Sequence, residues 1–287
     1  MEPPPLYTTL FGLGTMVALL LLLRVGQRIL GGSVHADLNH GNTARSMLQV
    51  GQVLGTFLVA SSAVKGGVRG TAHLADLGPD VLRVAVTSVI ALVLMMLTGH
   101  FGIRALLHSR LPAELARGNV AAGVASGAHY VAVSVITSRA VSGGNLRELG
   151  LSLTFFVLGQ LTLIVFITLF RALTTYDDSE QIEGENLAAA LSYAGVSIAI
   201  GIIIARALEG DFVSWGESLK GYGGVLLFLL LLYPVRQILV QVVLLGAPFT
   251  FRGGRLDTGV AAERHVGMGT LEAVSYLATA FAIAELA

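Results

Sequence analysis

Long apolar runs alternate with short polar breaks along this chain, and the runs are long enough to cross a membrane. Eight of them, at roughly 6–30, 46–64, 82–107, 120–142, 149–173, 187–208, 221–247 and 261–286, approach or exceed the roughly 20 mostly apolar residues a transmembrane helix needs. The longest breaks are on the order of 15 residues, too short to fold as a soluble domain. A β-barrel would instead show alternating segments of about 10 residues. The pattern therefore predicts an all-α, polytopic membrane protein with about eight transmembrane helices. The start, Met1-Glu2-Pro3-Pro4-Pro5, lacks a basic region, and the apolar run containing Leu19–Leu23 is too long for a cleaved signal, so the first run is expected to be an anchored helix.

The runs are not independent. Three polar-to-apolar junctions look alike: Gly41-Asn42-Thr43-Ala44, Gly118-Asn119-Val120-Ala121-Ala122 and Glu185-Asn186-Leu187-Ala188-Ala189; Gly259-Val260-Ala261-Ala262 is a degenerate fourth. Aligning the asparagines also aligns Gly51 with Ala128 and Gly195, and Gly66 with Gly143 and Gly210. The repeating unit is then a helix pair, present four times. Spans 1, 3, 5 and 7 are rich in Leu, Val, Ile and Phe, whereas spans 2, 4, 6 and 8 are rich in Gly, Ala and Ser. Small residues let helix backbones approach in lipid, where packing drives association. The even spans are expected to form an inner layer and the odd spans a lipid-facing one. Asn42, Asn119 and Asn186 stand where N-caps belong, with a side-chain oxygen for the unpaired amides of a helix start.

Composition agrees with the membrane reading. Charged residues are 13% of the 287 and hydrophobic residues 54%, with a mean hydropathy of +0.76. A soluble domain carries about 25% charge. The 18 basic residues balance the 18 acidic ones, so no basic face for nucleic acid is expected. With no cysteine, disulfides, thiolate metal sites and thiol catalysis are excluded. Eleven of the 18 Lys and Arg fall in or beside the loops after spans 1, 3, 5 and 7, and both termini lack them, which predicts periplasmic termini.

The junctions resemble those of the YjfL-like bacterial inner-membrane proteins (domain of unknown function 350): a polar lead, Gly/Glu-Asn-x-Ala-Ala, then a small-residue helix ending in Ala-x-x-Gly, best seen over Glu114–Gly143 and Glu183–Gly210. The resemblance implies four spans per domain, and so two tandem copies in two four-span halves, at about 1–146 and 147–287. It also implies the bacterial inner membrane. It implies no activity.

Ionisable groups within spans are costly and invite a functional reading. Glu272, in Gly269-Thr270-Leu271-Glu272, reads as a proton or cation site, or else as a carboxylate reaching the interface or pairing with Arg264 or Arg236. His129 reads as a proton relay or as a neutral, hydrogen-bonded core residue, and His100 more weakly the same way. In Tyr233-Pro234-Val235-Arg236-Gln237 the proline kinks the span, placing Arg236 against a cavity, against Glu272, or at the interface. Gln49, Gln52, Gln160 and Gln241 suit interhelical hydrogen bonds. The acidic stretch 177–185 reads as a solvated loop without EF-hand spacing, and His35, Asp37 and His40 form only a weak metal pattern.

No P-loop, Gly-x-Ser-x-Gly or His-Glu-x-x-His is present, so no enzyme, metal or cofactor is expected. The leading functional expectation is a channel or transporter for a small ion or solute, with Glu272, His129 and Arg236 lining its polar pathway. The alternative is a non-catalytic anchor or scaffold for a cytoplasmic partner, such as one in an envelope-stress system. The small-residue helices also suit a homo-oligomer in the lipid bilayer.

Overall fold

The computed structural model describes residues 5–30, 41–68, 74–107, 111–141, 146–210 and 212–286. Among these the chain is helical and no strand forms. Eight helical stretches are long and apolar enough to cross a membrane. They comprise α1 (Pro5–Ile29), α2 (Thr43–Gly67), α3 (Leu74–Leu107), α5 (Val120–Ala140), α6 (Leu146–Leu173), α8 (Leu187–Ala207), the broken pair α9 (Trp215–Leu226) and α10 (Leu229–Arg236), and α12 (Val266–Leu286). Short helices precede three of them: α4 (Leu111–Arg117), α7 (Asp178–Glu183) and α11 (Arg255–Ala261).

The small-residue helices form a row, with α2 against α5, α5 against α8, and α8 against α12. The Leu-rich helices lie in its grooves: α3 on α2 and α5, α6 on α5 and α8, and the α9–α10 span on α8 and α12. Within the most apolar window, 78% of residues are buried in α5 and in α8, against 11% in α1. The two middle helices of the row are therefore the true interior, and the odd spans present Leu13, Val17, Leu21, Val157, Leu161 and Val165 outward to lipid.

One local geometry recurs at the start of each row helix. A residue in the left-handed region precedes the cap: Gly41 (φ 74°), Gly118 (φ 90°), Glu185 (φ 62°) and Arg264 (φ 52°). The next side chain then accepts from an amide of the first turn. Asn42 Oδ1 takes Arg45 N, Asn119 Oδ1 takes Ala122 N, and Asn186 Oδ1 takes Ala188 N and Ala189 N. At α12 the same place is held by His265, whose Nδ1 accepts from Met268 N at 3.2 Å. The fourth junction thus differs from its sequence alignment: Gly259 lies inside α11, and His265 occupies the cap position.

Each asparagine also donates to the short helix of the following unit. Asn42 Nδ2 reaches Leu115 O at 2.9 Å, Asn119 Nδ2 reaches Ile182 O at 2.7 Å, and Asn186 Nδ2 reaches Val260 O at 2.8 Å. One side chain therefore starts a helix and ties it to its neighbour. Asn119→Ala is expected to cost about 2–3 kcal/mol, a lost cap plus an orphaned carbonyl. Asn119→Ser, which can still cap but cannot reach Ile182, is expected to cost less. Thermal unfolding in detergent checks both.

Candidate functional site

The densest buried charge lies where α10, α11 and α12 meet. Pro234 sits inside α10, and the span continues as a π-helix over Gln237–Leu244. Proline removes a ladder hydrogen bond, and π-turns inside α-helices often mark functional sites. This break aims Arg236 inward. Its Nε donates to Glu272 Oε1 at 2.7 Å, and its Nη2 donates to Asp257 Oδ1 at 2.7 Å. Arg236 and Glu272 are 0% exposed and Asp257 is 2% exposed. The Tyr233 ring lies 5.5 Å below the guanidinium carbon.

The two carboxylates are held differently. Asp257 Oδ2 accepts from Thr175 N at 3.0 Å and from Thr175 Oγ1 at 3.1 Å, so both its oxygens are engaged. Glu272 Oε2 has no protein partner, and neither has Arg236 Nη1. One cation thus faces two acids, and only Glu272 keeps a free acceptor. An unpaired buried charged atom is costly, so this imbalance is a chemical feature of the site.

A second arginine–aspartate pair adjoins it. Arg171, near the end of α6, pairs through Nε with Asp178 Oδ2 at 3.1 Å. Asp178 is buried, which corrects the expectation of a solvated loop at 177–185 for this residue; Asp177, Glu180 and Glu185 do face outward. Burial raises the Asp178 carboxyl to about 7; Arg171 opposes that rise, and the charge of Glu272 adds to it. Asp178 therefore exchanges a proton near neutral pH, beside the arginine triad.

Of the sequence candidates, Arg236 and Glu272 meet directly. His129 does not join them. It is buried in α5 against Gly102 of α3, with neither ring nitrogen in good hydrogen-bond geometry although the Thr98 backbone lies beside it. Gln49 and Gln52 both accept from Gln27 Nε2, at 3.0 and 2.6 Å, and Gln241 Nε2 donates to Pro248 O and Thr250 Oγ1. Gln160 Nε2 is buried without a partner. His35, Asp37 and His40 lie outside the described residues. Asp257 carries no signal of this role in the sequence; for Asp178 the arginine seven residues ahead, at the end of an apolar run, is the available one.

Two cavities complete the picture. One, of about 120 Å³, opens near the row-helix caps in the first half, beside Arg45, Arg104, Gln49 and Ser126. The other, of about 920 Å³, lies at the opposite ends of the spans, where Arg139 and Arg206 converge with Glu148, Glu209 and Glu217. Arg139 pairs there with Glu209 at 3.2 Å.

The family described as Domain of Unknown Function (DUF350) matches this chain twice, over residues 4–141 and 145–287. The chain belongs to that family. This DUF350 chain carries two tandem copies, each spanning four of the transmembrane helices. It is similar to a UPF0719 transmembrane protein of Aquifex aeolicus (strain VF5), 22% identical over 174 residues, which is 60% of this chain and 62% of that relative. The matched part thus spans less than two thirds of the relative's length. No solved structure matches the DUF350 chain.

Proposed function

We propose that this integral membrane protein is a channel or transporter for a small ion or solute, with the Arg236–Asp257–Glu272 triad as its charged element. The observation that carries the reading is the Glu272 Oε2 atom, sealed among apolar spans without a protein partner, beside one arginine that already serves two acids. A site with one acid in excess keeps an acceptor oxygen free for a passing cation or polar solute. Intramembrane ionisable groups in transporters commonly relay protons or ions. The broken span carrying Arg236 supports the same reading, since discontinuous helices line sites at membrane depth. Asp178 offers a group that exchanges protons near neutrality between the triad and the loop side. His129 is a separate buried polar group of the first copy and is not part of this element.

The reading places the protein in a bacterial inner membrane with both termini periplasmic, which puts the triad and the helix caps toward the cytoplasm. Two copies in one chain provide one polar region per copy at that face.

The test is flux in proteoliposomes under an imposed pH or potassium gradient, with an internal dye. Wild-type protein is expected to carry flux above empty liposomes. Glu272→Gln keeps the Arg236 hydrogen bond but removes the carboxylate charge, and is expected to abolish most of the flux while the protein stays folded. Protein-dependent flux that ignores Glu272→Gln would remove the triad from the pathway. The absence of flux for any ion or small solute would leave the scaffold reading in its place.

A further inference from the structure

The first copy has a place that corresponds to the triad, and among the described residues it lacks the acids. The register follows from the caps. Glu272 stands seven residues after the His265 cap, and Ser126 stands seven after the Asn119 cap. The close crossings agree: a Cβ on Gly269 would lie 2.2 Å from Ala188 O, and one on Gly123 would lie 2.2 Å from Ala44 O. Four residues beyond Glu272 and Ser126 come Tyr276 and Tyr130, each within electrostatic reach of an arginine, Arg236 and Arg104 respectively.

Arg171, Arg236 and Arg104 form a series near the loop ends of their spans. Arg171 is neutralised by Asp178, the first residue of α7, and Arg236 by Asp257 in α11. Seven residues past Arg104, the first residue of α4 is Leu111. The one acid of α4, Glu114, is engaged by Arg117 and Asn119. Among the described residues Arg104 makes no hydrogen bond or ion pair. Instead it lines the cavity of about 120 Å³, together with Arg45, His100, Gln49, Ser126 and Tyr130, and no carboxylate of the described residues is among the lining.

We propose that this cavity binds a small oxyanion, a carboxylate or phosphate group, in the position that the Glu272 and Asp257 carboxylates fill in the second copy. A planar guanidinium matches either group through paired N–H donors. The side-chain amides of Gln49 and Gln52, whose oxygens already accept from Gln27, add uncharged N–H donors. A water needs about 10–15 Å³ of such space, so the cavity has room for an anion of about five heavy atoms. The inference concerns binding and stands apart from the transport reading.

Thermal unfolding of the full chain in neutral detergent tests it, with sodium phosphate or acetate titrated against sodium chloride at constant ionic strength. A saturable, anion-specific rise in the unfolding temperature is expected. Arg104→Gln should abolish it and Arg104→Lys should weaken it. Ser126→Glu supplies the missing carboxylate, and should abolish the response while unfolding at or above the wild-type temperature without anion. Nanodiscs of phosphatidylcholine with and without phosphatidylglycerol separate the sources: a rise with the anionic lipid alone assigns the oxyanion to a lipid headgroup. No rise with any of these, or one that persists unchanged in both Arg104→Gln and Ser126→Glu, overturns the proposal.

Discussion

Replacing Arg236 with methionine is expected to destabilise the second copy by about 3–5 kcal/mol, the range for stripping one partner from a buried ion pair. The cost does not come from lost attraction alone. Glu272 and Asp257 are both sealed from solvent, and without the guanidinium they would face each other as two carboxylates in a medium that solvates neither. Glu272→Gln is expected to be far milder, because an amide oxygen still accepts from Arg236 Nε and Asp257 remains as counter-charge. The triple variant Arg236→Met, Asp257→Asn, Glu272→Gln is expected to recover most of the loss, since neutral groups of similar volume replace the charges. Unfolding temperature and monodispersity in detergent report all three. Arg236→Met as stable as wild type would show that water reaches the triad, and that the site is an open vestibule.

What the sequence made legible follows from how strongly each feature is enforced. A run of 20 apolar residues has one stable fate in a bilayer, because its backbone must satisfy itself, so the eight spans could be read, with ends displaced by up to six residues. Arg236 and Glu272 stood out for the same reason: each interrupts such a run at high cost. Asp257 did not, because it belongs to a polar segment of ordinary composition, and only the return of α11 beneath the π-helix brings it to Arg236. Asp178 was hidden among other acids. Its burial depends on the packing of α7 against α8, which no local pattern encodes. The fourth cap was misplaced because Gly259-Val260-Ala261-Ala262 imitates the other junctions in composition. What defines a junction physically is a left-handed residue followed by a side-chain acceptor, and Arg264-His265 supplies both with neither glycine nor asparagine. The cavity beside Arg104 was the least legible feature, since it is marked by an acid that is missing.

Gly51→Ala is expected to destabilise the protein by about 1–3 kcal/mol, the cost of overpacking a tight contact, and Gly51→Leu to abolish folded expression. A Cβ on Gly51 would lie 2.1 Å from Gly127 O, and one on Gly195 would lie 2.3 Å from Ala273 Cα. The obstacle in both cases is backbone, which has no rotamer to change, so the whole helix must move. Gly12→Ala and Gly14→Ala are the controls: a Cβ there meets nothing within 4 Å, and alanine is the better helix former, so the unfolding temperature should hold or rise. Equal tolerance at Gly51 and Gly12 would mean that the row helices can slide apart. If they cannot, a functional consequence follows. The row α2–α5–α8–α12 is then a rigid wall running through both copies, joined at the seam where a Cβ on Gly201 would come within 3.0 Å of Ala132 O. Any movement that opens a path must take place in the outer helices. The α9–α10 span, broken at Pro234 and continued as a π-helix, is the element that carries Arg236 and has the weakened ladder to bend.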